Sequence, residues 1–247
     1  MPGILYLIPN TLGQNDAAAL AHILPAEVQH IASRLDYFIA ENAKTTRAFL
    51  KLIGNVAPLA KPIQEISIAE LNVNTEAAAL PALLAPLLDG RDAGLISEAG
   101  VPAVADPGAD LVRLAHAHGI RVRPLVGPSS LLLAVMASGL NGQSFAFNGY
   151  LPIDAQARGK RIRQLEERSR QDRQTQFFIE TPYRNGALLE TLSANCHPNT
   201  LISIATDLSL PSETVRTQTA ARWKAELAAG RVPDFHKKPT VFLFLAA

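Results

Sequence analysis

Ala93-Gly94-Leu95-Ile96 is a short apolar run that ends abruptly in Ser97-Glu98-Ala99-Gly100 and then Ala105-Asp106-Pro107-Gly108. A second run, Val122 to Val126, ends in Gly127-Pro128-Ser129-Ser130. Short apolar runs bounded by glycine and proline read as buried strands. Two consecutive strands that discharge into loops of small residues constrain the chain to an α/β layout, with both loops at the edge where open sheets hold ligands. Gly100 and Gly108 would let backbone N–H groups approach a bound molecule with no Cβ in the way, and Pro102 and Pro107 stiffen the crossing. Plain tight turns between strand and helix account for the same residues without any ligand.

The rest of the chain repeats this strand–helix rhythm. Strands are expected at Ile4–Ile8, Tyr37–Ala40, Ala93–Ser97 and Val122–Val126, separated by helical patterns at Glu27–Arg34, Lys44–Leu52, Ala77–Leu88 and Ala109–His118. Ser129–Ser138 is a serine-capped apolar helix closed by Gly139, Asn141 and Gly142, which puts a domain junction in its vicinity. The expected domains are 1–126 and 127–247, each of common domain size. In the second, strands are expected at Phe145–Asn148, Gln176–Ile179, Leu201–Ala205 and Val241–Leu245, with an antiparallel addition at Thr214–Gln218. Helices are expected near Ala157–Arg168, Asn185–Leu192 and Ala220–Leu227. The fold class is α/β, each domain a mostly parallel sheet flanked by helices.

Only 18% of the 247 residues are charged and the net charge is +1, so the whole surface is not built to grip nucleic acid, although a local basic patch stays possible. Cys196 is the single cysteine and cannot close an intrachain disulfide, and no histidine lies at zinc-ligand spacing, so no metal is expected. No signal peptide or membrane span is legible, because Pro81 and Pro86 interrupt the most apolar stretch, and a cytoplasmic protein is the expectation. No Gly-x-Gly-x-x-Gly opens a helix after a strand and no Gly-Lys-Ser/Thr occurs, which argues against a dinucleotide-binding Rossmann site and a P-loop.

Ile96-Ser97-Glu98-Ala99-Gly100-Val101-Pro102, Ala105-Asp106-Pro107-Gly108, Gly127-Pro128-Ser129-Ser130, Gly149-Tyr150-Leu151-Pro152 and Glu180-Thr181-Pro182-Tyr183-Arg184 stand in the order and spacing of the tetrapyrrole methylase superfamily. Over nearly its whole length the chain resembles most the branch that 2′-O-methylates a cytidine of bacterial small-subunit ribosomal RNA. Ala40-Glu41-Asn42-Ala43-Lys44-Thr45-Thr46-Arg47 lies where that branch has an acidic, Thr- and Arg-rich segment. Two segments depart from it. Ile8-Pro9-Asn10-Thr11-Leu12-Gly13 replaces Thr-Pro-Ile-Gly-Asn, and Glu41-Asn42-Ala43-Lys44 replaces Glu-Asp-Thr-Arg.

The resemblance implies S-adenosylmethionine as cofactor, bound in a cleft between two α/β domains, a homodimer, and ribosomal RNA or the small ribosomal subunit as partner. It implies cofactor contacts from Pro9, Ser97, Glu98, Ala99, Gly100, Pro102, Asp106, Ser129, Ser130, Glu180, Thr181 and Pro182. A tetrapyrrole or other small-molecule acceptor is the alternative, as is a cofactor-binding module without transfer activity.

Several residues keep two readings. Asp106 either lines the cofactor pocket or caps the helix near Ala109. A ribose hydroxyl is a feeble nucleophile, so Glu41, Lys44 and Arg47 are candidate catalytic groups, a base and cations near the acceptor; otherwise Glu41 caps its helix and the cations lie on its solvated face. Tyr183 and Arg184 either stack on and pair with a nucleotide of the substrate or fasten their turn to the helix at Asn185. Arg158–Arg173 carries seven Lys or Arg against three acids and either contacts phosphates or is an ordinary solvated helix, with Glu166, Glu167 and Asp172 as surface partners.

Overall fold

The apolar runs Ile4–Ile8 (β1), Tyr37–Ala40 (β2) and Ala93–Ile96 (β4) form the centre of the first sheet of the computed structural model. Residues 1–13 and 16–247 are described, the side chains of 17–19 excepted, and the chain divides into two units, Met1–Ser129 and Ser130–Ala247. In the first unit Ser67–Glu70 (β3) and Arg121–Pro124 (β5) flank the centre in the order β3-β2-β4-β1-β5, all parallel. The edge strands are half-exposed and more polar, as edges should be. One face buries Phe38, Ile8 and Ala40 under α1 (Ala17–Ile23), α2 (Ala26–Arg34) and α3 (Ala43–Gly54). The other buries Leu5, Ile39 and Leu95 under α4 (Leu80–Leu88) and α5 (Ala109–Ala117). Gly94 is required at the centre, because a Cβ there would sit 2.5 Å from Ile8 Cδ1.

Every expected strand and helix of this unit is present, and β3 and α1 are additions. β3 has only four residues, none fully buried, so it carries no apolar run to announce it. At the amino end of the sheet Asp36 accepts from Arg91 Nε at 2.6 Å and pairs with Lys61 at 2.5 Å. Burial raises its carboxyl pKa, but the two cations outweigh that and hold it below the usual value.

The second unit comprises α6 (Ser130–Ser138), β6 (Phe145–Tyr150), α7 (Ala155–Asp172), β7 (Thr175–Ile179), α8 (Asn185–Asn195), β8 (Leu201–Thr206), β9 (Thr214–Thr219), α9 (Ala220–Ala228) and β10 (Thr240–Leu245). Its sheet order is β6-β7-β10-β8-β9. The expectation of a mostly parallel sheet needs correction in this unit. Only β6 and β7 run parallel; β10 is antiparallel to both β7 and β8, and β9 to β8. An apolar strand buried on both faces reads the same in either direction, so composition could not reveal the reversal. Phe178, Phe242, Phe244, Ile202 and Ile204 pack with Leu165, Leu188 and Trp223 from the helices. The fully buried Trp223 donates its Nε1–H to Ile202 O at 2.9 Å. Among the described residues no helix is long and apolar enough to cross a membrane.

Helix α7 also departs from the sequence reading. Arg158 and Glu166 are buried, not on the solvated face. Arg158 donates to Thr191 Oγ1 and to Ile153 O, while Glu166 accepts from His197 N at 2.7 Å and from Thr200 Oγ1. Cys196, beside this carboxylate, is buried, and burial together with Glu166 pushes its thiol pKa well up. Glu166 thus stitches α7 to the α8–β8 connection. Its replacement by alanine leaves a buried N–H and hydroxyl unpartnered, and we expect a loss of about 2–3 kcal/mol. Urea unfolding should show a lower midpoint with an unchanged slope.

Candidate functional site

At the carboxyl edge of the first sheet, β4 ends in a loop, residues 97–108, whose backbone repeatedly enters the left-handed region. Gly100 has φ +66°, Ala103 +63°, Ala105 +65° and Gly108 +138°. Left-handed backbone costs an alanine roughly 1–2 kcal/mol, so neighbours must hold the loop in place. They do so from both sides. From the β1 end, Asn10 N donates to Gly100 O at 2.8 Å, Gly100 N to Thr11 O at 3.2 Å, and the buried Asn10 amide to Glu98 O at 3.0 Å and Ser97 O at 3.4 Å. From the β2 end, Glu41 N donates to Ile96 O at 3.2 Å, and Glu41 Oε2 accepts from Glu98 N at 3.1 Å. Pro9 is buried, and the linker approaches it so closely that a Cβ on Gly127 would lie 2.2 Å from Pro9 Cβ.

This clamp corrects two readings. Glu41 does not cap α3: Asn42 does, accepting from Lys44 N at 2.9 Å and Thr45 N at 3.3 Å. Nor does Asp106 cap α5, whose N-cap is Gly108 with no side-chain bond to the first turn. The Asp106 carboxyl instead sits half-buried near Ser97, Glu41 and Glu98. Burial, then repulsion from Glu41 and, more weakly, Glu98, pushes its pKa up to about 6, against an opposing pull from the Ser97 hydroxyl.

Ser97 is 4% exposed, and its Oγ has no hydrogen-bond partner of proper geometry. A buried hydroxyl left unmatched costs on the order of 1–3 kcal/mol, which makes it a donor waiting for an acceptor. Glu98 and Ala99 are exposed, while Gly100 and Pro102 are buried. A Cβ on Gly100 would meet Leu12 Cδ2 at 3.2 Å and Pro128 O at 3.5 Å on a left-handed backbone. That glycine therefore serves the loop's own folding as well as any ligand. Asp106 also lines a cavity of about 400 Å³ with Leu71, Asn72, Thr75, Leu80 and Asp110.

The first unit thus brings together Pro9, Glu41, Ser97, Glu98, Gly100 and Asp106. Lys44 and Arg47 lie exposed on α3. Ser129 ends this unit and Ser130 begins α6. Asn10 was not anticipated, although a polar residue directly after a buried strand is a signal that could have found it.

In the second unit Glu180 follows β7 with its side chain 1% exposed. Its Oε1 accepts from Thr181 N at 2.7 Å and from Arg184 Nε at 3.0 Å and Nη2 at 2.5 Å, while Oε2 is buried without a partner. Arg184 therefore fastens the Thr181-Pro182 turn. Tyr183 stays 74% exposed, with Lys237 Nζ 5.9 Å from its ring centroid.

The family model for "Tetrapyrrole (Corrin/Porphyrin) Methylases" matches residues 21–223. Among curated relatives, "Ribosomal RNA small subunit methyltransferase I" of Xylella fastidiosa (strain Temecula1) is 31% identical over 227 residues, covering 92% of this chain and 76% of the relative. The protein of the same name from Escherichia coli O157:H7 is 30% identical over 213 residues, covering 86% and 68%. Among solved structures, "Crystal structure of the methyltransferase CobJ" superposes with a TM-score of 0.62 at 18% identity, over 99% of this chain and 95% of that one, a likeness of fold. With its loops after β1 and β4 built as described and a profile match over most of its length, the chain belongs to the tetrapyrrole methylase family.

Proposed function

We propose that this protein transfers a methyl group from S-adenosylmethionine to RNA, with a ribose 2′-hydroxyl of small-subunit ribosomal RNA as the acceptor. The observation that carries the cofactor reading is the unmatched Ser97 hydroxyl inside the clamped loop after β4, beside the Asp106 carboxyl. The acceptor reading is supported by the names of relatives aligned over most of both chains.

The residues fit such a cofactor. Ser97 can bond a polar end of the molecule, Gly100 keeps backbone close to it, and Glu98 and Asp106 supply negative charge for a cationic group. When bound, S-adenosylmethionine supplies a methyl carbon on a positively charged sulfur. The chain's part is alignment and proton handling. Glu41, pinned through Glu98 N with its other carboxylate oxygen outside that bond, would take the proton of the acceptor hydroxyl. Lys44 and Arg47 stand in the first and second turns of α3, just after the clamp, and would meet the polynucleotide's negative charge. Tyr183 offers an exposed ring to an unstacked base.

Methyl-labelled cofactor and ribosomal RNA from a strain lacking this protein test the reading directly. Label should enter small-subunit RNA in alkali-resistant linkages; label in a tetrapyrrole fraction instead would overturn it.

Ser97→Ala removes a buried hydroxyl that makes no hydrogen bond of proper geometry within the fold and acts there only as a pull on the Asp106 carboxyl. Calorimetry should show cofactor affinity falling about fivefold to tenfold, as for one lost hydrogen bond, while the melting temperature holds or rises. Unchanged affinity would move the cofactor elsewhere.

The raised pKa of Asp106 gives a pH signature of known sign. The native state keeps a proton on this carboxyl that the unfolded chain, near the ordinary 3.8, has released. Its contribution to stability is therefore greatest below pH 4 and falls as pH rises to about 6. Melting temperatures of Asp106→Asn should lack that decline. Affinity for cationic S-adenosylmethionine should rise through pH 6 more than affinity for the neutral demethylated product, and the substitution should abolish the difference.

Glu41→Gln keeps the size of the side chain and removes the base. Single-turnover methyl transfer should slow tenfold or more with little change in cofactor affinity. An unchanged rate would remove Glu41 from the chemistry.

A further inference from the structure

The near-neutral chain hides a division of charge. The first unit has nine Lys and Arg against twelve Asp and Glu, while the second has fourteen against ten. The excess in the second unit is concentrated on α7 and its C-cap, Arg173. Burial of Arg158 and Glu166 removes one charge of each sign from the helix surface. Lys160, Arg161, Arg163, Arg168, Arg170 and Arg173 remain exposed, against Glu167 and Asp172. Arg168 pairs with Asp172 at 3.5 Å and Arg170 with Glu167 at 2.8 Å. Among the described residues Lys160, Arg161, Arg163 and Arg173 form no ion pair, and Arg163 donates only to the neutral Asn195 amide.

These cations are aligned along the helix. Arg161 and Arg168 lie two turns apart on one flank, and Lys160, Arg163 and Arg170 follow the other, because Ile162, Leu165 and Ser169 turn inward. Eighteen residues of helix extend about 27 Å, and Arg173, in the left-handed conformation that ends it, extends the row. Gly159 seats the helix, since a Cβ there would lie 2.8 Å from Asn195 Oδ1 on α8, and the Arg158 and Glu166 bonds fix its rotation. Six cations held on a rigid, rotationally fixed helix repel one another in the free protein. A polyanion relieves that repulsion, and guanidinium groups match phosphate oxygens two at a time.

We infer that the outer face of α7 is a docking surface for the phosphate backbone of RNA. The inference rests on the RNA reading above and deepens it. α7 would hold the substrate by its charge without reading its sequence, so its loss weakens binding and leaves the chemistry intact.

The test compares the full-length protein with a variant carrying Lys160→Gln, Arg161→Gln, Arg163→Gln and Arg173→Gln. A control carries Lys51→Gln, Arg121→Gln, Arg222→Gln and Lys224→Gln, which removes the same charge from exposed positions elsewhere. Binding of poly(C) RNA is measured against salt concentration, and cofactor affinity and melting temperature report on folding. Each lost phosphate contact should lower the slope of log K against log salt by about 0.7. The α7 variant should therefore lose about two to three units of slope and at least tenfold in affinity, with cofactor binding unchanged and the control close to wild type. Equal slopes in wild type and α7 variant would overturn the proposal, as would equal losses in variant and control, or no binding of RNA by the wild type. Methylation of ribosomal RNA by the wild type is scored separately. If it persists while the α7 variant binds RNA normally, docking on α7 fails and the methyltransferase reading stands.

Discussion

The exchange of hydrogen bonds between the ends of β1 and β4 is the constraint on which the rest of the first unit's site depends. Asn10 and Thr11 lock onto Ser97, Glu98 and Gly100 through four bonds, two from the backbone and two from a buried amide. Only with that lock in place can the loop hold Ala103 and Ala105 in left-handed backbone, a combined cost of roughly 2–4 kcal/mol. The loop in turn sets where the Ser97 hydroxyl and the Asp106 carboxyl sit. A parallel sheet makes this possible, because the carboxyl ends of adjacent strands β1, β4 and β2 lie side by side.

Charge is arranged with the same economy. Glu41, Glu98 and Asp106 gather where burial, and then the repulsion of its neighbours, raises Asp106 to a pKa of about 6. A carboxyl that ionises near neutrality, as Asp106 does, discriminates a cation from its neutral counterpart, and a methyl donor differs from its product in that charge. In the second unit two buried acids tie neighbouring segments together. Glu166 and Glu180 are buried and saturated on one oxygen, by backbone and hydroxyl in one case and by backbone and Arg184 in the other.

The strand and helix positions were largely legible because periodicity and punctuation are local. The loops after β4 and β5 announced themselves by glycine and proline, the first by its acids as well, and the apolar runs located every central strand. What escaped the sequence shares one cause. Strand direction in the second sheet, the partner of Glu41, the cap of α5 and the burial of Glu166 each depend on residues distant in the chain. Glu166 and Glu167 are adjacent and chemically identical, yet α7 turns one onto His197 and Thr200 and leaves the other with Arg170.

The sequence by itself determined the α/β class, the family and the segments that would carry the site, since those follow from local pattern and from motifs in order. Tertiary structure decided which of those residues work together. It released Glu41 and Asp106 from capping roles, recruited Asn10, withdrew Arg158 and Glu166 from the surface of α7, and left four cations on α7 and its cap with no ion pair among the described residues of a nearly neutral protein. The physical reason is that a side chain's charge is written in the sequence, whereas its partner, its solvation and the backbone angle it must tolerate exist only after distant strands have paired.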